Sequence, residues 1–146
     1  MTPALPTLPP LPSFINRELS LLEFNRRVLA QAEDTRVPLL ERLKFLCISC
    51  SNLDEFFEIR VAGLKQMVKV GAAIVGPDGN SPAELLASIA ASAHELVDDQ
   101  YRVLNDVMIP ALKSEGIRFV RRTHWTAEQG EWLREYFENE VLPVLS

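Results

Sequence analysis

The 146-residue sequence has no excess of basic residues: 15 Lys and Arg stand against 20 Asp and Glu, for a formal net charge of −5. Gripping nucleic acid through its phosphates takes a clustered positive surface, so DNA and RNA are not expected partners. No apolar run reaches the roughly eighteen residues of a membrane-spanning helix, and the N-terminus lacks the charged start and apolar core of a secretory signal. A cytoplasmic location is expected. Cysteine is scarce, with Cys47 and Cys50 alone forming a C-x-x-C. Such a pair can be half of a zinc site or a redox couple. Here no second Cys or His pair completes four ligands, His94 and His124 are distant in sequence, and the flanking pattern is helical rather than strand-turn-helix. Two buried or half-buried free thiols are expected, packing as small hydrophobes.

Phosphate loops are missing as well: there is no G-x-x-x-x-G-K-S/T, no G-x-G-x-x-G and no G-x-S-x-G. With no nucleophile and base legible as a pair, these residues on their own do not point to an enzyme. What is present is a chain that is 47% hydrophobic, enough for one domain that buries about two-thirds of the surface of its unfolded form.

Helical patterning runs through most of the chain, and the expected fold class is all-α: an antiparallel helical bundle with one long helix. Residues Met1–Pro12 hold five of the ten prolines and read as a disordered or polyproline tail, numbered 1–13 as a segment. Ser20-Leu21-Leu22-Glu23 reads as a capping box opening a first helix that runs to Glu33. Its expected apolar face is Leu21, Phe24, Val28 and Ala32, with Leu22 and Leu29 beside it and Glu23 paired to Arg27 on the surface. Pro38 suits the first position of a second helix with Leu39, Leu40, Leu43, Leu46 and Cys47 as its apolar set. That helix weakens at Ser49-Cys50-Ser51-Asn52, where Ser51 or Asn52 can cap a third through Leu53, Phe57, Val61, Leu64 and Val68. Two helices and one bent helix both fit.

Val70–Asn80 reads as a loop, and Ser81-Pro82-Ala83-Glu84 is the clearest helix start in the chain. The helical period then continues for about thirty residues, with Pro110 placed to kink its end and Gly116 to stop it. A short strand is expected near Ile117–Val120, and Thr126-Ala127-Glu128-Gln129 opens a final helix carrying Trp132, Leu133, Tyr136, Phe137 and Val141. The chain stops at Pro143-Val144-Leu145-Ser146, still apolar, as expected of a piece of a longer protein.

Asn52 to Arg60 is the densest polar and aromatic cluster. Asp54 and Glu58 share a helix face that could suit a hydrated magnesium ion, but acidic residues in a first helical turn more simply complement the helix dipole, and no metal ligand is assigned. Arg26, Arg27, Arg42, Lys44, Arg60, Lys65 and Lys69 could face an anionic polymer, although such residues more often form the solvated faces of amphipathic helices.

Four blocks carry a resemblance: Ile15-Asn16-Arg17-Glu18-Leu19-Ser20, Phe24-Asn25-Arg26-Arg27-Val28-Leu29, Val37-Pro38-Leu39-Leu40-Glu41-Arg42-Leu43-Lys44-Phe45-Leu46, and Ser51-Asn52-Leu53-Asp54-Glu55-Phe56-Phe57 with Arg60-Val61-Ala62-Gly63-Leu64-Lys65 after it. In this order and spacing they resemble the opening of bacterial polyphosphate kinases of the histidine-phosphorylating class, closely over Phe14–Lys69 and by pattern beyond. Leu21 departs where the family often has Trp, and Cys50 where it often has a small or polar residue.

The resemblance implies an N-terminal helical domain over 14–120, with 121–146 the truncated start of the middle domain. It implies an enzyme that moves the terminal phosphate of ATP reversibly onto inorganic polyphosphate, giving ADP, through a phosphohistidine and with Mg2+. The catalytic histidines are expected beyond Ser146, so the piece alone is expected to be inactive, without autophosphorylation at His94 or His124 and with nothing bound. By the same resemblance Asn52 contributes to the adenine end of the ATP site. The whole enzyme is expected to be a homo-oligomer, with membrane association left open. The rival reading is a non-catalytic interaction module docking through its final apolar helix.

Overall fold

The computed structural model describes residues 16–71 and 78–145. The proline-rich segment and part of the Val70–Asn80 loop fall outside them. The described residues form helices, turns and irregular segments with no strand, so the fold is all-α as expected. They divide into two compact units, Met1–Pro110 and Ala111–Ser146.

In the first unit, α1 is Arg17–Glu33. It starts four residues ahead of the expected position because Asn16, not Ser20, caps it: its Oδ1 accepts from the Glu18 and Leu19 amides at 3.0 and 3.1 Å. The Ser20 amide is already bonded to the Asn16 carbonyl, which leaves Ser20 inside the helix with no end to cap. The buried stripe is Leu22, Asn25, Leu29 and Ala32. Ala32, Leu22 and Leu29 are buried as expected, but the centre of the stripe is one position off from Leu21, Phe24 and Val28, and Leu21 and Phe24 are exposed. A polar Asn at the centre of the real stripe disguised it. Glu23 pairs with Arg26, three residues on, rather than with Arg27, whose guanidinium lies 5.7 Å from the Phe24 ring centre.

The question of two helices or one after Pro38 resolves as one. α2 (Leu39–Glu55), a wider π-helical stretch (Phe56–Val61) and α3 (Ala62–Lys69) follow without a break, with right-handed helical dihedrals at both joins. Pro38 is the cap rather than the first helical residue, and neither Ser51 nor Asn52 caps anything. The residues α2 buries are Arg42, Leu46, Ser49 and Leu53, while Leu40, Cys47 and Cys50 are exposed. The two thiols are therefore not buried as expected. The inward face of α2 takes a serine and an arginine instead, because polar partners await them there.

The arginine, Arg42, donates from Nε to the Ala32 carbonyl at 2.8 Å, one of the acceptors left over at the end of α1. Asn25 Nδ2 donates to the Ser49 carbonyl at 2.9 Å, Gln100 Nε2 to Ser49 Oγ at 2.9 Å, and Asn52 Nδ2 to Asn25 Oδ1 at 3.3 Å. Among the described residues no buried side-chain nitrogen or oxygen is left without a partner, so this polar seam avoids the desolvation cost of an orphaned group.

α4 (Pro82–Arg102) opens on the expected box: Ser81 Oγ accepts from the Glu84 amide and Glu84 Oε2 from the Ser81 amide. A π-helical stretch (Val103–Met108) and α5 (Ile109–Ser114) continue it. Pro110 lacks an amide and its ring crowds the carbonyl four residues back. The π-helical turn just before it, where the Ile109 amide reaches the Leu104 carbonyl, takes up that misfit.

The bonded pairs 25 with 49 and 32 with 42 make α1 and α2 antiparallel. Arg26 with Glu95 and Arg102 with Glu33 make α1 and α4 parallel. The helices run up, down and up around a core of Leu22, Leu29, Leu46, Ile89, Leu96 and Val103.

In the second unit, Gly116 at φ 81° ends the preceding helix: its amide reaches the Lys113 carbonyl and the Ile117 amide reaches Leu112, the two bonds of a Schellman stop. The strand expected at Ile117–Val120 does not form, since an extended segment needs a partner strand for its ladder. A 3-10 turn (Arg122–His124) leads to α6 (Ala127–Tyr136), a π-helical stretch (Phe137–Val141) and α7 (Leu142–Leu145). Thr126 and Gln129 form the expected capping box. Here too a π-helical turn precedes a proline, Pro143.

Candidate functional site

A cleft of about 290 Å3 opens between α1 and the long second helix. Leu21, Leu22, Phe24 and Asn25 line it from α1, Asn52 and Glu55 from α2, and Phe56, Ile59 and Arg60 from the π-helical stretch. It is an apolar slot with a few polar groups, the usual make-up of a small-molecule site.

Asn52 occupies an interior position of an uninterrupted helix and is half-buried. It is not at a helix start, so capping does not account for it. Asn is a poor residue for a helix interior because its side chain competes for backbone bonds. The Asn52 carbonyl accepts the Phe56 amide in the helix. One proton of the Asn52 side-chain amide goes to Asn25 Oδ1, which leaves a second N–H donor and the Oδ1 acceptor. Asn25 is itself held by the Ser49 carbonyl, whose residue is held by Gln100, so Asn52 rests on a chain of buried bonds rather than on a free rotamer.

The π-helical stretch beside it differs from the other two. Each of those runs up to a proline, whereas Phe56–Val61 is followed by Ala62 and Gly63. The Ala62 amide reaches the Phe57 carbonyl five residues back. Such bulges concentrate at functional sites, and this one carries three of the nine cleft residues, Phe56, Ile59 and Arg60.

The basic residues singled out in the sequence separate cleanly. Arg26 is engaged by Glu23, Glu95, Asp99 and the Ser92 carbonyl. Arg27 lies over Phe24, Arg42 is buried against Ala32, and Lys44 stands 3.8 Å from Glu41. Arg42 is therefore not on a solvated face as expected, since its guanidinium is needed at the end of α1. Arg60, half-buried in the cleft, has no hydrogen bond or ion pair among the described residues, and it does not pair with Glu55. Lys65 and Lys69 are exposed on α3.

Asp54 and Glu58 are exposed, and both are far from a first helical turn, so the helix-dipole account of them fails. Among the described residues no group of three His, Cys, Asp or Glu side chains is placed to hold a metal. His94 is exposed on α4, and His124 Nδ1 is 3.1 Å from Thr123 Oγ1. The second unit has a hollow of about 410 Å3 under Trp125 and Trp132, but its Gln129 is committed to the capping box. The cleft at Asn52 is the better candidate. Asn25 was missed as a site residue; the signal for it was a polar residue at helical spacing inside an apolar stripe.

A family model described as the polyphosphate kinase N-terminal domain matches residues 14–120. The chain is 53% identical over 133 residues to a polyphosphate kinase of Pseudomonas syringae pv. tomato, covering 91% of this chain and 18% of the relative. It is 50% identical over 145 residues to one from Pseudomonas putida, covering 99% of this chain and 20% of the relative. The crystal structure of a polyphosphate kinase from Porphyromonas gingivalis matches 90% of this chain and 18% of its own with a TM-score of 0.73 at 30% identity. The chain thus spans about a fifth of the length of these relatives. The matched stretch takes in the cleft, the polar seam behind Asn52 and the helices that hold both, and the chain belongs to the polyphosphate kinase family as its N-terminal domain.

Proposed function

We propose that this domain forms the adenine end of the ATP site of a polyphosphate kinase, which transfers the terminal phosphate of ATP reversibly to inorganic polyphosphate through a phosphohistidine formed outside these 146 residues. One observation carries the reading: Asn52 is held inside an unbroken helix, facing an apolar cleft, with a donor and an acceptor to spare. An adenine edge presents one acceptor nitrogen beside an amino donor, and a single side-chain amide meets both. Phe24, Phe56 and Ile59 supply apolar surface for the ring. Catalysis in the domain is limited to holding and orienting the nucleotide.

Asp54 and Glu58 are exposed on the helix and are not among the residues that line the cleft, so we give them no part in holding Mg2+. No helix among those residues is long and apolar enough to cross a membrane, and we place the enzyme in the cytoplasm as a homo-oligomer, with polyphosphate and ATP or ADP as its ligands.

The test is Asn52→Asp in the full-length enzyme, with folding checked by thermal melting. Asp keeps acceptors and loses both donors. One good contact of this type is worth about 1 to 3 kcal/mol, so the KM for ATP is expected to rise roughly 5- to 150-fold. Poor use of GTP, whose ring edge carries the opposite donor and acceptor pattern, is expected to change less. An unchanged KM for ATP in a well-folded variant would remove Asn52 from the site.

A further inference from the structure

Asn25 is buried on the inner face of α1 and also lines the cleft beside Asn52. A side-chain amide has nearly the same shape after a half-turn about its last bond, so the neighbours of Asn52 decide which end of it meets a ligand. Here they leave one choice. The Ser49 carbonyl is backbone and can only accept, so Asn25 turns Nδ2 toward it, at 2.9 Å. That puts Asn25 Oδ1, again an acceptor only, toward Asn52, which answers with Nδ2 at 3.3 Å. Gln100 steadies the far end of the chain of bonds, donating from Nε2 to Ser49 Oγ at 2.9 Å. The Oδ1 and the second N–H of Asn52 are thereby left in one fixed order.

That order bears on the two purines differently. Adenine presents an acceptor ring nitrogen beside an amino donor, and guanine a protonated ring nitrogen beside an acceptor oxygen. An amide free to swing can pair with either edge. An amide held one way round pairs with adenine and, against guanine in the same place, sets donor to donor and acceptor to acceptor. We propose that Asn25 makes the site select adenine over guanine nucleotides by fixing the direction of the Asn52 amide, which rests on the reading of Asn52 as the adenine contact. Asn25 is a positioning residue here: it acts on the base through Asn52, with its own polarity set by the Ser49 carbonyl.

The test uses the full-length enzyme, with ADP and GDP compared as acceptors of phosphate from polyphosphate. The wild-type KM for GDP is expected to exceed that for ADP by at least about 5-fold. Asn25→Leu keeps the branched side-chain shape and strands no buried group, since the Ser49 carbonyl lies inside a helix and Asn52 is half-exposed to water. In this variant the KM for ADP should rise, that for GDP should not, and the ratio should fall toward one with kcat unchanged. If the leucine lowers the melting temperature, Asn25→Ala carries the same expectation. Asn52→Leu should lower the same ratio, and adding Asn25→Leu to it should change nothing further. Where Asn52→Leu does lower the ratio, a folded Asn25 variant that leaves it unchanged, or that raises both KM values alike, overturns the positioning role alone. An unchanged ratio in Asn52→Leu removes the adenine contact itself, and the positioning role with it.

Discussion

The two units begin helices with the same device and do different things with them. Ser81 with Glu84 opens α4, and Thr126 with Gln129 opens α6, each through a reciprocal pair of side-chain and backbone bonds. α4 buries Leu85, Ile89, Ala93, Leu96 and Gln100. The helical residues from Ala127 to Leu145 bury none, and Trp132 is 60% exposed, stacked on Tyr136 at 5.4 Å. A cap decides where a helix starts. Whether that helix contributes to stability depends on the apolar area it removes from water, at about 25 cal/mol per Å2.

The largest expected difference is in core truncation. Leu96→Ala should cost the first unit about 2 to 5 kcal/mol, because the cavity cannot collapse fully. Trp132→Ala should stay within about 0.5 kcal/mol. Denaturant unfolding of the two variants checks this, and equal losses would erase the distinction. Hydrogen exchange sharpens it: amides around Leu96 should open only with global unfolding, those of Ala127–Leu145 far earlier.

A smaller effect separates the caps. Ser81→Ala should lower global stability by about 0.5 to 2 kcal/mol. Thr126→Ala should reduce the helical circular-dichroism signal and leave the unfolding midpoint in place. A shift of that midpoint as large as for Ser81→Ala would show that the last helix is part of the cooperative core.

The smallest effect is acid sensitivity. Hydrogen bonds, first from the Ser81 side chain and then from its backbone, lower the pKa of Glu84 below 4.5. Asp34, bonded to Arg36, is lowered from 3.8 to about 2. A depressed carboxylate contributes fully above its unfolded pKa, and the contribution is lost as pH falls through the folded value. The α4 cap should therefore weaken as pH drops below 4.5, while the α6 cap, built on the amide Gln129, should not. Backbone amide titration tests it: Ser81 should move with Glu84, and Thr126 should stay flat over the same range. Both groups are at the surface, so the contribution to overall stability is small.

Much of this was legible beforehand. Two of the three expected capping boxes, at Ser81 and Thr126, the Gly116 stop and the all-α class follow from short-range rules, which act between residues three to five apart. The four sequence blocks pointed to the family. Three features were not legible. The start of α1 depends on Asn16, whose Nδ2 also donates to Asp78 at 2.6 Å, a residue 62 positions away. The buried stripes of α1 and α2 contain Asn25, Arg42 and Ser49, polar residues that a hydrophobic period assigns to solvent. The exposure of Cys47 and Cys50 is the other side of that substitution, since a helix that turns Ser49 inward must turn its neighbours out.

Sequence by itself determined the number of helices to within one join, the residues that start most of them, and the family, because each is written in local spacing. Only the tertiary structure decided that Asn52 is inside a helix rather than at its end, that its amide is braced by Asn25, Ser49 and Gln100, and that Arg60 shares its cleft. The reason is physical: a buried polar side chain is stable only beside its partner, and here the partners are on three different helices, up to 51 residues apart.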